Sequence, residues 1–130
     1  MGEGFEQAAT DAGFRTEFWP DDCHLAFTGY RASNGKGVRV ESAYFKTSDE
    51  AIRYFDWSLD RAEKITEQGD KNDLRGKRMG RRAVAFVKPN HWRVMWMNAG
   101  TVRSFWSSDL SVLLEFERQY VPRFRADRKR

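Results

Sequence analysis

The chain has 130 residues, of which 40% are hydrophobic and 15% aromatic, and it carries a formal net charge of +4. This size and aromatic content are those of one folded domain with one core, and they exclude an intrinsically disordered protein. The single cysteine, Cys23, excludes an intramolecular disulfide framework, and Cys23 with His24 and His91 makes too few soft ligands for a structural zinc site.

The first structured part of the chain is predicted to be a β-hairpin. Residues 1–20 show no clear hydrophobic period and are interpreted as a partly ordered N-terminal arm. Side chains then alternate in the period of a β-strand from Cys23 to Ala32 and again from Val38 to Phe45. The Asn-Gly pair between these runs tolerates positive φ angles and is typical of a tight hairpin turn.

A helix is predicted to follow the hairpin. The segment Thr47-Ser48-Asp49-Glu50 has the pattern of a capping box, in which the threonine hydroxyl accepts a free backbone N–H at the start of a helix. Apolar residues follow at helical spacing, so the predicted helix runs from Ser48 to about Glu67. Gly69 and the polar residues after it are expected to end the helix and to lead into a flexible loop.

The second half of the chain predicts three more strands and a second helix. The strands begin near Arg82, Trp92 and Thr101, and short turns between them favour an antiparallel meander. Ser108-Asp109 is predicted to cap the second helix and Pro122 to end it.

The predicted element order is therefore β-β-α-β-β-β-α. This order indicates an α+β fold in which a curved, antiparallel five-stranded sheet has both helices packed on one face. The predicted organisation is an N-terminal arm at residues 1–20, a single α+β domain at residues 21–122 and a basic C-terminal tail at residues 123–130.

The predicted strands are apolar on both faces, although two helices on one face would leave the other uncovered. The candidate ligand- or partner-binding residues on these strands are Trp92, Trp96, Met95, Met97, Phe105 and Trp106. Three interpretations stay open. The N-terminal arm and strand curvature cover the second face, or it forms a homodimer interface, or it encloses a pocket for a small apolar ligand.

Basic residues form a second candidate site. The loop before the third predicted strand, together with the strands after it, carries a basic patch made of Arg75, Lys77, Arg78, Arg81, Arg82 and Arg93. Lysine and arginine beside aromatic side chains can bind phosphates and stack bases, so nucleic acid or an anionic surface is an alternative partner. The sequence motifs of the common nucleic-acid-binding folds are missing, which favours a solvated face instead.

The sequence gives little indication of catalysis. Cys23 and His24 are adjacent on a predicted strand and point to opposite faces, which prevents an easy thiolate–imidazole pair. No catalytic residue, metal or cofactor is predicted. An enzyme with a pocket in the curved sheet is kept as a further alternative.

The favoured interpretation is a non-enzymatic binding or interaction domain. It would use the apolar, aromatic sheet face for self-association or for a small apolar ligand. The chain contains no apolar run of the length that crosses a membrane and no signal peptide. The default expectation is a cytoplasmic protein, with a processed secreted form as the alternative.

Overall fold

The computed structural model describes residues 5–14, 24–72 and 78–128, which form an antiparallel sheet and two helices. The elements in chain order are β1 (Phe5–Phe14), β2 (His24–Ala32), β3 (Gly37–Tyr44), α1 (Ser48–Asp60), β4 (Lys64–Asn72), β5 (Arg78–Lys88), β6 (His91–Asn98), β7 (Thr101–Ser107) and α2 (Leu110–Arg128). The strand order across the sheet is β1-β2-β3-β7-β6-β5-β4. The α+β prediction is confirmed, but the sheet has six strands from β2 to β7, and β1 as a seventh, instead of five.

The predicted hairpin and meander are both present. In the turn between β2 and β3, Gly35 takes a left-handed φ of 89°, and the Asn34 side chain accepts the backbone N–H of Lys36 at 3.0 Å. The turns that join β5 to β6 and β6 to β7 place Asn90 at a φ of 64° and Ala99 at a φ of 53°. The turn residues in the sequence therefore correctly predicted three antiparallel pairs: β2 with β3, β5 with β6, and β6 with β7.

The first helix is shorter than predicted. The Thr47 hydroxyl accepts the backbone N–H of Glu50 at 3.2 Å, as the capping pattern predicts, but α1 ends at Asp60 rather than near Glu67. Residues 64–72 instead form β4, an edge strand paired with β5. This stretch contains good helix formers, and pairing with β5 overrides their weak intrinsic preference.

The ends of the fold also differ from the prediction. β1 lies in the segment interpreted as an arm, where it pairs with β2. The carboxylate of Asp109 accepts the backbone N–H of Val112 at 3.3 Å at the start of α2, but the helix continues through Pro122 to Arg128. Proline lacks one backbone donor and crowds the preceding turn, so it weakens a helix without always ending it.

The two helices pack on opposite faces of the sheet, which corrects the prediction that both cover one face. On one side, called the α1 face, α1 packs against Ala43, Met95, Met97 and Val102. On the other, called the α2 face, α2 packs against Val40, Val94, Trp96 and Phe105. Successive residues of a strand point to opposite faces, so each central strand contributes to two cores. Sequence periodicity reveals the two apolar faces but does not assign a helix to each.

Candidate ligand pocket

Most of the aromatic and thioether candidates are packed against the helices. Met95 and Met97 are buried in the cluster beneath α1, while Trp96 and Phe105 are buried in the cluster beneath α2. Trp92 is half-buried and packs against the cluster on the α2 face. These five side chains therefore stabilise the sandwich of sheet and helices.

The sixth candidate, Trp106, is half-buried and lines an open pocket of about 650 Å³. The lining residues come from β2, β3, β6, β7 and the turns beside them: Gly29, Tyr30, Gly37, Val38, Arg39, Glu41, Asn90, His91, Trp106, Ser107 and Ser108. Strand pairing aligns Gly29, Arg39 and Trp106 in one row across the α1 face. Gly29 contributes no side chain to this row, which leaves space over the sheet beside Arg39. The volume lies within the range of small-molecule sites.

A buried polar network lies next to the pocket. The Tyr54 hydroxyl, on α1, donates a hydrogen bond to Glu41 Oε2 at 2.9 Å. Arg93 donates through Nη2 to the Tyr54 hydroxyl at 3.3 Å, and through Nε and Nη2 to the Ser104 hydroxyl at 3.1 and 2.8 Å. All four residues are less than a tenth exposed. A buried carboxylate and a buried guanidinium are thus linked through one tyrosine hydroxyl, as buried charges require partners.

Tyr54 is kept in its neutral form at the centre of this network. Burial raises the pKa of the Tyr54 hydroxyl above its ordinary value, with Arg93 opposing that shift and Glu41 adding to it. A protonated hydroxyl can donate to Glu41 while it accepts from Arg93. The hydrogen bond from Tyr54 to Glu41 therefore depends on the protonated hydroxyl, whereas the hydrogen bonds from Arg93 to Ser104 do not.

The Trp106 ring is supported from the network side. The guanidinium carbon of Arg93 lies 4.5 Å from the centroid of the Trp106 ring and 5.9 Å from that of Tyr54. A cation over an aromatic face is attracted to it, more strongly where water is excluded. Trp106 is consequently a fixed wall of the pocket. It packs against Arg93, and Arg93 in turn hydrogen-bonds to Tyr54 of α1.

Glu41 and Arg39 bring opposite charges to the pocket lining. Glu41 uses Oε2 for Tyr54, and among the residues that the structure describes none donates to its other oxygen, Oε1. Arg39 is exposed, with its guanidinium carbon 4.3 Å from the centroid of the Phe27 ring. The pocket thus combines an aromatic wall, a buried carboxylate and a cation at its rim.

Known proteins do not identify this arrangement. No family model, curated protein or solved structure matches the chain. The pocket has to be interpreted from its own residues.

The basic patch is described in part. Arg75 and Lys77 lie outside the described residues, and for Arg78 the structure gives the backbone at the start of β5. Arg81 and Arg82 are neighbours on β5 and so point to opposite faces of the sheet. The sixth member, Arg93, belongs to the buried network.

Arg81 and Arg82 each bind a helix. Arg81 Nη1 donates to Asp56 Oδ1 of α1 at 3.2 Å. Arg82 donates through Nε and Nη2 to the two carboxylate oxygens of Glu117 on α2, at 2.7 and 2.8 Å, and through Nη1 to Glu67 at 2.8 Å. The hydrogen bonds from Arg82 to Glu117 raise the pKa of Arg82, which keeps its charge. Both guanidinium groups therefore serve to fasten helices to the sheet.

Two other classes of site find no support in the described ranges. Residues 5–14, 24–72 and 78–128 contain no group of three or more His, Cys, Asp or Glu side chains placed to bind a metal ion. Within the same ranges, no helix has the length and apolar character needed to cross a membrane. Cys23 lies outside these ranges.

The sequence predicted Trp106 as a ligand- or partner-binding residue and Arg93 as part of a basic patch, but it did not predict the polar network that Arg93 forms with Glu41 and Ser104. Glu41, Arg93 and Ser104 occupy positions on the α1 face of three neighbouring strands, where most side chains are apolar. Charged residues at inward positions of apolar runs are the signal that could have indicated a buried polar network. Their common partner, Tyr54, lies on a helix and could not be placed without the fold.

Proposed function

We propose that this protein is a binding domain that holds a small ligand with a flat aromatic ring in the pocket beside Trp106. One observation carries the proposal: an open pocket of about 650 Å³ has a half-buried tryptophan as its wall. Arg93 fixes that ring, so little order has to be gained when a ligand ring packs against it. Small-molecule sites commonly combine such an apolar wall with a few placed polar groups.

The two helices cover the other apolar strand residues, which supports a ligand pocket over self-association through the sheet face. Met95 and Met97 are buried beneath α1, and Phe105 is buried beneath α2. A second copy of the chain could reach these side chains only after a helix had moved away. Trp106 is accessible without any such movement.

Nucleic-acid binding through the basic loop 75–82 and the C-terminal tail stays a prediction. Arg81 and Arg82 would each have to give up a carboxylate partner to bind a phosphate. A gel-shift experiment at two salt concentrations tests this alternative, because phosphate contacts strengthen as salt falls.

The test of the proposal is a nuclear magnetic resonance titration of the isotope-labelled full chain with a library of small aromatic compounds. A compound in the pocket should shift the indole N–H of Trp106 together with the backbone amides of Gly29 and Gly37, and the shifts should saturate. The Trp106→Leu variant assigns the indole signal and should weaken binding by about tenfold, since it removes the aromatic contact.

Trp92→Leu is the matched control for this experiment. Trp92 is also half-buried, but it packs on the α2 face of the neighbouring strand. Its replacement should leave the affinity unchanged. Equal weakening in the two variants, or saturable shifts confined to residues away from the pocket, would contradict the proposal.

A further inference from the structure

We infer that the ligand of this pocket is amphoteric, with an ammonium group for Glu41, an anionic group for Arg39 and an aromatic ring against Trp106. The inference rests on the proposed function, because it names the chemical class of ligand for the same pocket. It depends on two charged side chains whose hydrogen-bonding capacity is not used up within the fold.

Glu41 is the first of these side chains. It is 8% exposed and lines the pocket, yet Oε1 receives no hydrogen bond from any residue that the structure describes. Oε1 is not among the buried side-chain atoms that lack a partner, so it is open to the pocket and can accept a hydrogen bond there. An ammonium group in the pocket would supply both the donor and the opposite charge.

Arg39 is the second. It lies two residues before Glu41 on the same face of β3, which separates their backbones by about 7 Å. Its guanidinium carbon lies over the Phe27 ring, and within the described part of the chain Arg39 forms no ion pair or hydrogen bond. Guanidinium groups bind carboxylates and phosphates through paired N–H donors, so Arg39 is suited to an anion at the rim.

The two charges together select against ligands with one charge. A simple anion that reaches Arg39 also lies near the carboxylate of Glu41, and a simple cation at Glu41 also lies near Arg39. A ligand that carries both charges gains each attraction and avoids each repulsion. An aromatic α-amino acid has this outline, since its ammonium and carboxylate lie on one carbon atom and its ring follows one carbon later.

The experiment compares four probes by calorimetric titration of the full chain. L-tryptophan carries both charges, tryptamine only the ammonium, indole-3-propionate only the carboxylate, and 3-methylindole neither. L-tryptophan should bind at least about tenfold more tightly than each of the other three. The indole N–H signal of Trp106 reports whether each probe enters the pocket.

Two variants test which side chain binds each charge of the ligand, and a third is the control. Glu41→Gln should remove the advantage of L-tryptophan over indole-3-propionate, and Arg39→Gln should remove its advantage over tryptamine. Arg61→Gln is the matched control, because its guanidinium carbon also lies 4.3 Å from an aromatic centroid, that of Trp57, away from the pocket lining. The control should bind all four probes as the unaltered chain does.

Each result decides a separate point. If 3-methylindole binds as tightly as L-tryptophan, the amphoteric class is wrong and the aromatic pocket stands. The same conclusion follows if a singly charged probe binds best. If none of the four probes shifts the Trp106 signal, the proposed function fails together with the inference. The probe series uses the unaltered chain, so it remains decisive even if Glu41→Gln does not fold.

Discussion

Replacing Glu117 by glutamine is expected to loosen α2 from the sheet, because three donor groups converge on this carboxylate. Glu117 is 7% exposed. Its Oε2 accepts from Arg82 Nε at 2.7 Å and from Trp96 Nε1 at 2.5 Å, and its Oε1 accepts from Arg82 Nη2 at 2.8 Å. Glutamine keeps one acceptor oxygen but presents an amide donor to the guanidinium group, and it removes the negative charge.

The expected loss in the free energy of unfolding is about 2–3 kcal/mol, since a hydrogen bond to a charged group contributes about 1.5–3 kcal/mol. Removing one partner of a fully buried ion pair costs about 3–5 kcal/mol. The loss should fall below that range because the Arg82 side chain is 24% exposed and keeps Glu67 as a partner at 2.8 Å.

Urea denaturation followed by tryptophan fluorescence measures this loss. With a denaturant slope of about 2 kcal/mol per molar urea, the midpoint should fall by about 1–1.5 M. Glu115→Gln is the matched control on the same helix, because Glu115 pairs with Arg118 in solvent and exposed pairs contribute little. Equal midpoints for the two variants would refute the reasoning.

Three further substitutions test other parts of the fold. Gly80→Ala should prevent normal pairing of β5 with β6, because Gly80 has a φ of 155° and an added Cβ would lie 1.8 Å from the carbonyl oxygen of Met97 on β6. Gly69→Ala is the control and should fold normally, because an added Cβ there has no atom within 4 Å. Circular dichroism compares the two variants. Phe105→Ala should lower the free energy of unfolding by about 3–5 kcal/mol, measured in urea, because the buried ring leaves a cavity. A much smaller loss would mean that α2 does not cover this ring. Asp109→Asn should make the stability of the protein depend less on acid pH. The hydrogen bond from the Ser111 hydroxyl is the main cause that lowers the pKa of Asp109 in the folded state. The stabilisation from Asp109 is therefore present above its unfolded-state pKa and is lost as the pH falls through its folded-state pKa. Thermal melts from neutral to acid pH measure this, and identical slopes for both proteins would count against it.

Local patterns predicted those elements whose geometry is set by near neighbours. The cap at Thr47 and the hairpin turn at Gly35 depend on residues a few positions apart, and both are present. β4 depends on pairing with β5 instead, and its residues from Lys64 to Asp70 are all exposed. An exposed edge strand has no alternation of buried and polar side chains, so its sequence carries no strand period to find.

The apolar character of both sheet faces was visible in the sequence, but its cause was not. Alternation shows that Met95 and Val94 are both buried without showing which helix buries each one. The answer depends on the paths of the two helices. α1 leaves β3 across one face to reach β4, and α2 follows β7 onto the other.

The candidate site was predictable only in its aromatic wall. Trp106 was selected for its residue type, whereas the network around it joins Glu41 of β3, Arg93 of β6 and Tyr54 of α1. These residues are distant in sequence, and their meeting depends on strand order and on the side of the sheet that α1 covers. That dependence makes the two-sided arrangement of the helices the basis for the pocket.

Nuclear Overhauser contacts of the Met95 methyl group test this arrangement most directly. With one helix on each face, this methyl should give cross-peaks to the ring of Phe55 on α1, which shares its buried cluster. The ring of Phe105 should give them to Phe116 on α2, whose centroid lies 5.8 Å away. Cross-peaks from the Met95 methyl to Phe116 would contradict the two-sided arrangement and, with it, the placement of Glu41 and Trp106 on the face that α1 covers.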